Sequence, residues 1–351
     1  MLGTNASTQE RSYINLRPPQ SPLRVINDPL GMEQSTYRKL YSDFMRATAH
    51  DLRSWIEISS IFHGIELPRS SVILGSGLGA LTSQLEIVAR RPFIDCGLAK
   101  PTADGHSGEF LLAAIAGKGV LLQSGRMHLY ENWSPAVVAL PVRAQAIAGI
   151  TNFIITNAAG SLSPDVEVGD LVVLSGNSGA QAYSPSNSLF DAKNEDVGPF
   201  GEKFYPVNDC YSQDLRSEFF YLACQHEIRV HTGVYQFMPG PRYEEPNEIA
   251  RFVRERQQAL ASGTPENALI AVGMSTAPEV YALAQLRTHP SFSNIQVLGI
   301  SNITNKAAGI GGSTPTSEEV LAAGPIGGSK IAKILRDLLP NIQNPNIKFP
   351  R

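Results

Sequence analysis

Three features of the chain predict an α/β layered fold built as one domain. Short apolar runs alternate with longer stretches of helical spacing, the runs are apolar at consecutive positions, and nothing resembling a linker interrupts the pattern between residues 37 and 339. Consecutive apolar positions suit strands buried on both faces, and their alternation with helices places helices over a mostly buried sheet. With 351 residues, of which 42% are hydrophobic and 17% charged, the chain is long enough to bury such a sheet.

In chain order, the strands expected are Ser71 to Leu74, Val120 to Gln123, Phe153 to Thr156, Leu171 to Leu174, Val234 to Met238, Ala268 to Val272 and Val297 to Ile300. Helical spacing runs over Ala136 to Ile147, Leu215 to Gln225, Glu248 to Leu260, Pro278 to Leu286 and Glu318 to Leu339. Residues 1–36 carry Pro18, Pro19, Pro22 and Pro29 with few periodic apolar positions and are expected to form an irregular extension. Residues 340–351 are expected to form a tail beyond the last helix.

Composition narrows the function. The 29 basic and 32 acidic residues give a formal charge of −3 with no basic block, so neither nucleic acid nor a membrane surface is an expected partner. No apolar run approaches the roughly 18 residues of a membrane span, and no secretory segment is visible, so a cytoplasmic protein is expected. Cys96, Cys210 and Cys224 are too few and too scattered for a disulfide framework, and the seven histidines show no metal-ligand spacing.

In an α/β fold the chemistry gathers in the loops that leave the strand ends. The first strand runs into Gly75-Ser76-Gly77-Leu78-Gly79-Ala80, whose glycines free backbone N–H groups to face an anion beside a hydroxyl. This turn alone fits a phosphate cradle, a tight structural turn, or the G-x-G-x-x-G/A dinucleotide fingerprint with Asp95 as the ribose-binding acid. Gly105-His106-Ser107-Gly108 is a small-residue turn with one potential donor. Gly125-Arg126-Met127-His128-Leu129-Tyr130-Glu131 sets Arg126, His128 and Tyr130 two residues apart, on one face if the stretch is extended. Arginine offers a planar fork of donors to phosphate and histidine adds another; a surface Arg with a core-edge His is the plainer reading. Asn157-Ala158-Ala159-Gly160-Ser161-Leu162 lets a ligand approach the backbone, and Pro239-Gly240-Pro241-Arg242-Tyr243-Glu244 turns from rigid to aromatic and acidic. Gly273 to Glu279 and Ser301 to Lys306 follow the late strands. Each of these, taken singly, also reads as a polar cap or turn.

Together the loops resemble the trimeric, low-molecular-mass purine nucleoside phosphorylase family. The likeness runs from about residue 40 to 339 through GSGLG, GHSG, QSGRMHLYE, TNAAGSL, FGEKF, GPRYEE, VGMSTAPEV, SNITNK and EEVLAAG in that order. It implies a mixed β-sheet flanked by helices, and reversible phosphorolysis of inosine and guanosine to free base and α-ribose 1-phosphate. Inorganic phosphate is then a co-substrate, no metal or organic cofactor is needed, and the assembly is a homotrimer.

The resemblance also implies residue roles. Ser76, His106, Arg126, His128, the Ala158 backbone N–H and Ser275 fall at phosphate-contacting positions. Glu244 and Asn305 match the purine-recognising pair, Glu244 accepting from the purine N1–H and Asn305 donating to N7. Tyr130 and Met274 match ribose contacts, and Tyr243 an aromatic packed on sugar and base. His128, Glu244 and Asn305 are the residues it marks as catalytic. Tyr183 stands where the family often has a Phe that reaches the neighbouring subunit's site, and Ser317 where a histidine meets the ribose 5′-hydroxyl. Ser262 to Asn267 resembles a surface insertion. Two other readings stay open: a methylthioadenosine phosphorylase, which Ser317 permits and Asn305 opposes, and a nucleoside-binding paralogue without turnover.

Overall fold

The computed structural model describes residues 22–27, 32–75, 79–180, 183, 201–202 and 204–342. Its strands are β1 (Ser70–Leu74), β2 (Glu86–Pro92), β3 (Glu109–Ile115), β4 (Lys118–Ser124), β5 (Asn152–Ser161), β6 (Leu171–Ser178), β7 (Val230–Phe237), β8 (Leu269–Gly273) and β9 (Gln296–Lys306). Its helices are α1 (Pro22–Asn27), α2 (Gln34–His63), α3 (Gly79–Gln84), α4 (Pro135–Val138), α5 (Leu140–Ala148), α6 (Gln213–Gln225), α7 (Pro246–Ala261), α8 (Ala277–Leu286) and α9 (Ser317–Ile342).

The strands form one mixed sheet in the order β2-β3-β4-β1-β5-β8-β7-β6-β9, with β9 also paired to β5. That last pairing closes β5, β8, β7, β6 and β9 into a ring, from which β1, β4, β3 and β2 extend as a flange. β5 and β9 run parallel from Asn152 opposite Gln296 to Ser161 opposite Lys306, with a bulge between Ala159 and Gly160. The bulge lets the end of β5 also pair antiparallel with β8 at Gly160 and Ser161.

Alternation along β1 divides the core. Ile73 packs with residues of α1, α2, α4, α5 and α8, whereas Val72 and Leu74 pack with residues of α3, α6 and α9 on the opposite face. A smaller cluster gathers Ile249 and Phe252 of α7 against Leu269 and Val272 of β8. Helix α2 buries Tyr37, Tyr41, Met45, Leu52 and Ile56, a stripe at helical spacing, and ends at Gly64, whose φ of 64° suits a residue without Cβ. The Tyr41 hydroxyl donates to the Ala136 carbonyl at 3.0 Å, which ties α2 to α4.

The structure departs from the sequence reading at several points. Within the extension expected to be irregular, Pro22–Asn27 forms a helix because Leu23 and Ile26, three residues apart, are both buried on one side. Asn27 then clamps the chain after β4, donating to the Asn132 carbonyl at 3.0 Å and accepting from Ser134 N–H at 2.7 Å. The last helix continues past Leu339 to Ile342, its final carbonyls taken by Lys118 at Pro340 and by Asn152 at Ile342. The stretches from Asn157 and from Ser301, expected as loops, continue β5 and β9 as strands because the two pair with each other to their ends.

The crossing of β1 and β5 is tight. Thr156 Oγ1 donates to the Ile73 carbonyl at 2.7 Å and accepts the Gly75 N–H at 3.0 Å. A Cβ at position 75 would lie 2.7 Å from both Asn157 Cα and the Thr156 carbonyl oxygen. Gly75→Ala is therefore expected to force backbone apart and lower stability by about 1–3 kcal/mol. Urea denaturation checks this; a midpoint equal to that of the parent would show that the crossing has slack.

Candidate active site

A cavity of about 360 Å³ opens where β4, β5, β7, β8 and β9 end. Its deepest charged group is Arg126, which enters just after β4 and is 1% exposed. A guanidinium so far from water needs partners. Its Nη1 meets Glu279 Oε2 at 2.8 Å and Thr276 Oγ1 at 3.4 Å, and its Nη2 donates to the Thr156 carbonyl. Glu279, also 1% exposed, lies in the first turn of α8, so β4, β5 and α8 are joined at one point. Burial pushes the Glu279 carboxyl up from its usual range while Arg126 pulls it down. Thr276 has φ of 72° and ψ of −55°, and its hydroxyl accepts from Asn157 Nδ2 at 2.9 Å. That unusual backbone turns the Thr276 hydroxyl toward both Arg126 and Asn157.

Two histidines flank the arginine with ring centroids 5.0 Å apart. The Arg126 backbone N–H donates to His106 Nδ1 at 3.0 Å, so this nitrogen is the bare one and neutral His106 carries its proton on Nε2. Burial, with the charges of His128 and Arg126, pushes the His106 pKa down to about 3. His128 has the opposite tautomer. Its Nδ1 lies 3.0 Å from Glu131 Oε1, an oxygen that also accepts the His128 backbone N–H at 2.8 Å. A carboxylate only accepts, so Nδ1 holds the proton and Nε2 is left as an acceptor. Burial favours neutral Glu131, but hydrogen bonds from His128 and from the Thr102 backbone and hydroxyl outweigh it and hold the carboxyl at about 2. Burial likewise lowers the His128 pKa, against the pull of Glu131.

The 125–131 stretch is not the extended segment that the spacing suggested. Gly125 turns at φ 99° and Leu129–Glu131 form a single 3-10 turn, which stacks the Tyr130 ring on His128 at 4.6 Å and 11° between planes. Arg126, His128 and Tyr130 still line the same cavity.

Further lining comes from later loops. Tyr243 and Glu244 precede α7, on a loop fixed by Arg242, which grips Glu248 with both terminal nitrogens at 2.8 and 3.0 Å. Glu244 is buried, and burial raises its carboxyl pKa. Asn305 projects from the end of β9; its Oδ1 occupies space that only a glycine at 160 leaves open, since a Cβ there would lie 2.8 Å away. Met274 and Ser275 follow β8, and the Tyr235 hydroxyl accepts the Ser275 N–H at 3.2 Å. Ala158 of β5 and Ser317, the first residue of α9, complete the lining, with Val320 and Leu321 beside Ser317.

The cavity thus gathers His106, Arg126, His128, Tyr130, Ala158, Tyr243, Glu244, Met274, Ser275, Asn305 and Ser317. Ser76 lies outside the described residues. Tyr183 is not part of the lining; it is half-buried and packs edge-on against Phe237 at 5.6 Å. Sequence reasoning assigned no role to Glu131, Glu279, Asn157 or Thr276. The two acids had a readable signal: Glu131 is three residues from His128, and Glu279 is the one charged residue in the apolar helix APEVYALAQL.

Residues 72–340 match the family described as the phosphorylase superfamily. Purine nucleoside phosphorylase 1 of Bacillus subtilis is 34% identical over 73% of this chain and 86% of its own. The purine nucleoside phosphorylase of Mycobacterium tuberculosis is 35% identical over 77% of this chain and 88% of its own. The chain belongs to the purine nucleoside phosphorylase family. The fold agrees: a crystal structure of isoform 2 of the Schistosoma mansoni purine nucleoside phosphorylase, in complex with cytosine and ribose-1-phosphate, superimposes with a TM-score of 0.68 at 27% identity, covering 86% of this chain and 97% of that one. Among the described residues no helix is long and apolar enough to cross a membrane.

The histidine pair gives this phosphorylase a pH signature. Where burial lowers a base's pKa, the unfolded chain binds more protons between the two values, so stability rises with pH across that window and falls on acidification. For His106 the window runs from 6.5 down to about 3. His106→Asn keeps an acceptor for the Arg126 N–H and removes the titrating ring. It is expected to flatten the stability profile between pH 6 and 4 by up to about 1.4 kcal/mol per pH unit, one proton's worth. Denaturant unfolding across that range tests it; parallel profiles for parent and variant would refute the assignment.

Proposed function

We propose that this chain catalyses the reversible phosphorolysis of 6-oxopurine nucleosides, inosine and guanosine, to free base and α-ribose 1-phosphate. One observation carries the reading: a single cavity is lined both by Arg126 and two histidines, which suit phosphate, and by Glu244 and Asn305, which suit a 6-oxopurine. Arg126 and the His106 Nε2–H donate to phosphate oxygens. His128, with Nε2 bare, accepts from the hydroxyl of monohydrogen phosphate, which orients the anion by its own proton. Ser275 and the Ala158 N–H supply neutral donors. Inorganic phosphate is the co-substrate, as the family's name implies, and the reaction as written calls for no further cofactor.

At the purine end Glu244 accepts from N1–H and from the 2-amino group of guanine, while Asn305 donates to N7. As the glycosidic bond lengthens, positive charge grows on the ribose and negative charge moves into the purine. Phosphate beneath the anomeric carbon favours the first, and the Asn305 amide favours the second. Tyr130, Tyr243 and Met274 pack around the sugar. The 5′ end lies toward Ser317, whose short side chain leaves space for a small substituent. The subunits form a trimer in which Tyr183 reaches the neighbouring site.

Release of base from inosine, guanosine, adenosine and methylthioadenosine, each with and without phosphate, tests the reading. Phosphate-dependent release of hypoxanthine and guanine is expected, and no release from any substrate would defeat it. Asn305→Asp is expected to move the adenosine-to-inosine ratio of kcat/KM toward adenosine by about tenfold or more, because a carboxylate repels a 6-oxo group and accepts from a 6-amino group. An unchanged ratio, with inosine activity retained, would mean that Asn305 does not face the purine.

A further inference from the structure

Glu279 has a structural account: it stands in the first turn of α8, where a carboxylate suits the helix dipole, and although burial raises its pKa, Arg126 and the Thr276 backbone N–H favour its ionised form. That account covers neither its burial nor its direction. A capping acid is ordinarily wet, whereas this one is 1% exposed and turned onto the Arg126 guanidinium at 2.8 Å. A buried ion pair is costly to assemble, and a glutamine would pin Arg126 through the same carbonyl-type acceptor without a second charge. What a glutamate adds over a glutamine at this place is a negative charge against Arg126.

The pair changes the anion end. Among the described groups around it, Arg126 is the fixed cation, both histidines are held neutral by burial, and Glu131 adds a further negative charge behind His128. With Glu279 ionised, the Arg126 charge is cancelled inside the protein. The anion then meets directed donors rather than a bare cation.

Resting on the phosphorolysis reading above, we propose that Glu279 is a positioning residue that sets the affinity of this site for phosphoryl groups, fixing the Arg126 guanidinium and cancelling its charge. The consequence follows from the reaction's bookkeeping of groups. Phosphate enters and a sugar phosphate leaves, so the same phosphoryl oxygens face the same donors at the start and at the end. A site that gripped the dianion with uncompensated charge would hold the product as firmly as the substrate. Glu279 keeps the hold geometric and the exchange open.

Two near-isosteric variants separate charge from geometry. Glu279→Gln keeps an acceptor on Arg126 and removes the charge; Glu279→Asp keeps the charge and shortens the reach by one methylene. Titration calorimetry with inorganic phosphate and with ribose 1-phosphate, alongside KM for inosine, reads the outcome. The expected result is that Glu279→Gln binds both phosphoryl ligands at least fivefold more tightly, Glu279→Asp binds them at least fivefold more weakly, and KM for inosine stays within twofold. A helix-capping role alone would lower the melting temperature of both variants and leave phosphate affinity within twofold of the parent, which would overturn the proposal. So would a shift in the same direction for both. If the Gln variant fails to fold, the Asp arm decides by the same thresholds. Absence of phosphorolysis by the parent would defeat the functional reading, while the order of phosphate affinities would still judge the role of Glu279.

Discussion

A guanidinium placed where several strands end, out of reach of water, imposes its requirements on everything around it. Arg126 takes its partners from β5, from the turn before α8 and from α8 itself, so these elements hold one relative position. The same Thr156 whose carbonyl accepts from Arg126 uses its hydroxyl to lock β1 against β5, which brings Gly75 onto the backbone at Asn157 with no space for a side chain. Charge burial and backbone packing are thus one constraint seen from two sides. The loop after β1 begins where this crossing puts it.

The two histidines show how hydrogen bonds behind a site decide what the site presents. In each ring a hydrogen bond at Nδ1 fixes the proton, to a backbone donor in His106 and to a carboxylate in His128. The two bonds run in opposite senses, so the neutral His106 ring carries its proton on Nε2 and the neutral His128 ring on Nδ1. Residue type alone does not distinguish them. The Thr102 backbone N–H and hydroxyl both donate to Glu131, so the proton position on His128 is decided by groups behind the ring.

What the sequence disclosed follows from which forces write plainly in it. Fully buried strands such as β1 and the first half of β5 announce themselves by consecutive apolar residues. β2 does not, because most of its residues are partly exposed and its composition is that of a surface. Helix α2 was missed as a unit although its buried stripe is regular, since polar residues between Tyr37 and Ile56 dilute the pattern and nothing before it marks a start. The polar ends of β5 and β9 read as loops because their pairing is with each other, Ala158 with Asn302 and Gly160 with Asn305, and pairing so distant in sequence leaves no local trace. The cavity residues were legible as an ordered set of loops. Their tautomers, the Glu279 pairing and the turn at Thr276 depend on distances that only the folded chain contains.

The closure of the sheet onto itself has an outcome for the protein's solubility. An open sheet has two rims of unpaired N–H and carbonyl groups, each a template on which another chain could add a strand. Here β9 pairs with both β6 and β5, so the rim at that end does not exist, and β2 is left as the one terminal strand among those described. β2 carries Glu86, Arg90, Arg91 and Pro92, and its register shifts between Ile87 and Ala89. Arg91 is drawn aside to Asp51 of α2 at 2.8 Å, and Pro92 offers no donor. Charge, a bulge and a proline are concentrated on the terminal rim of the described sheet, so this buried β-structure resists growing by edge-to-edge addition there.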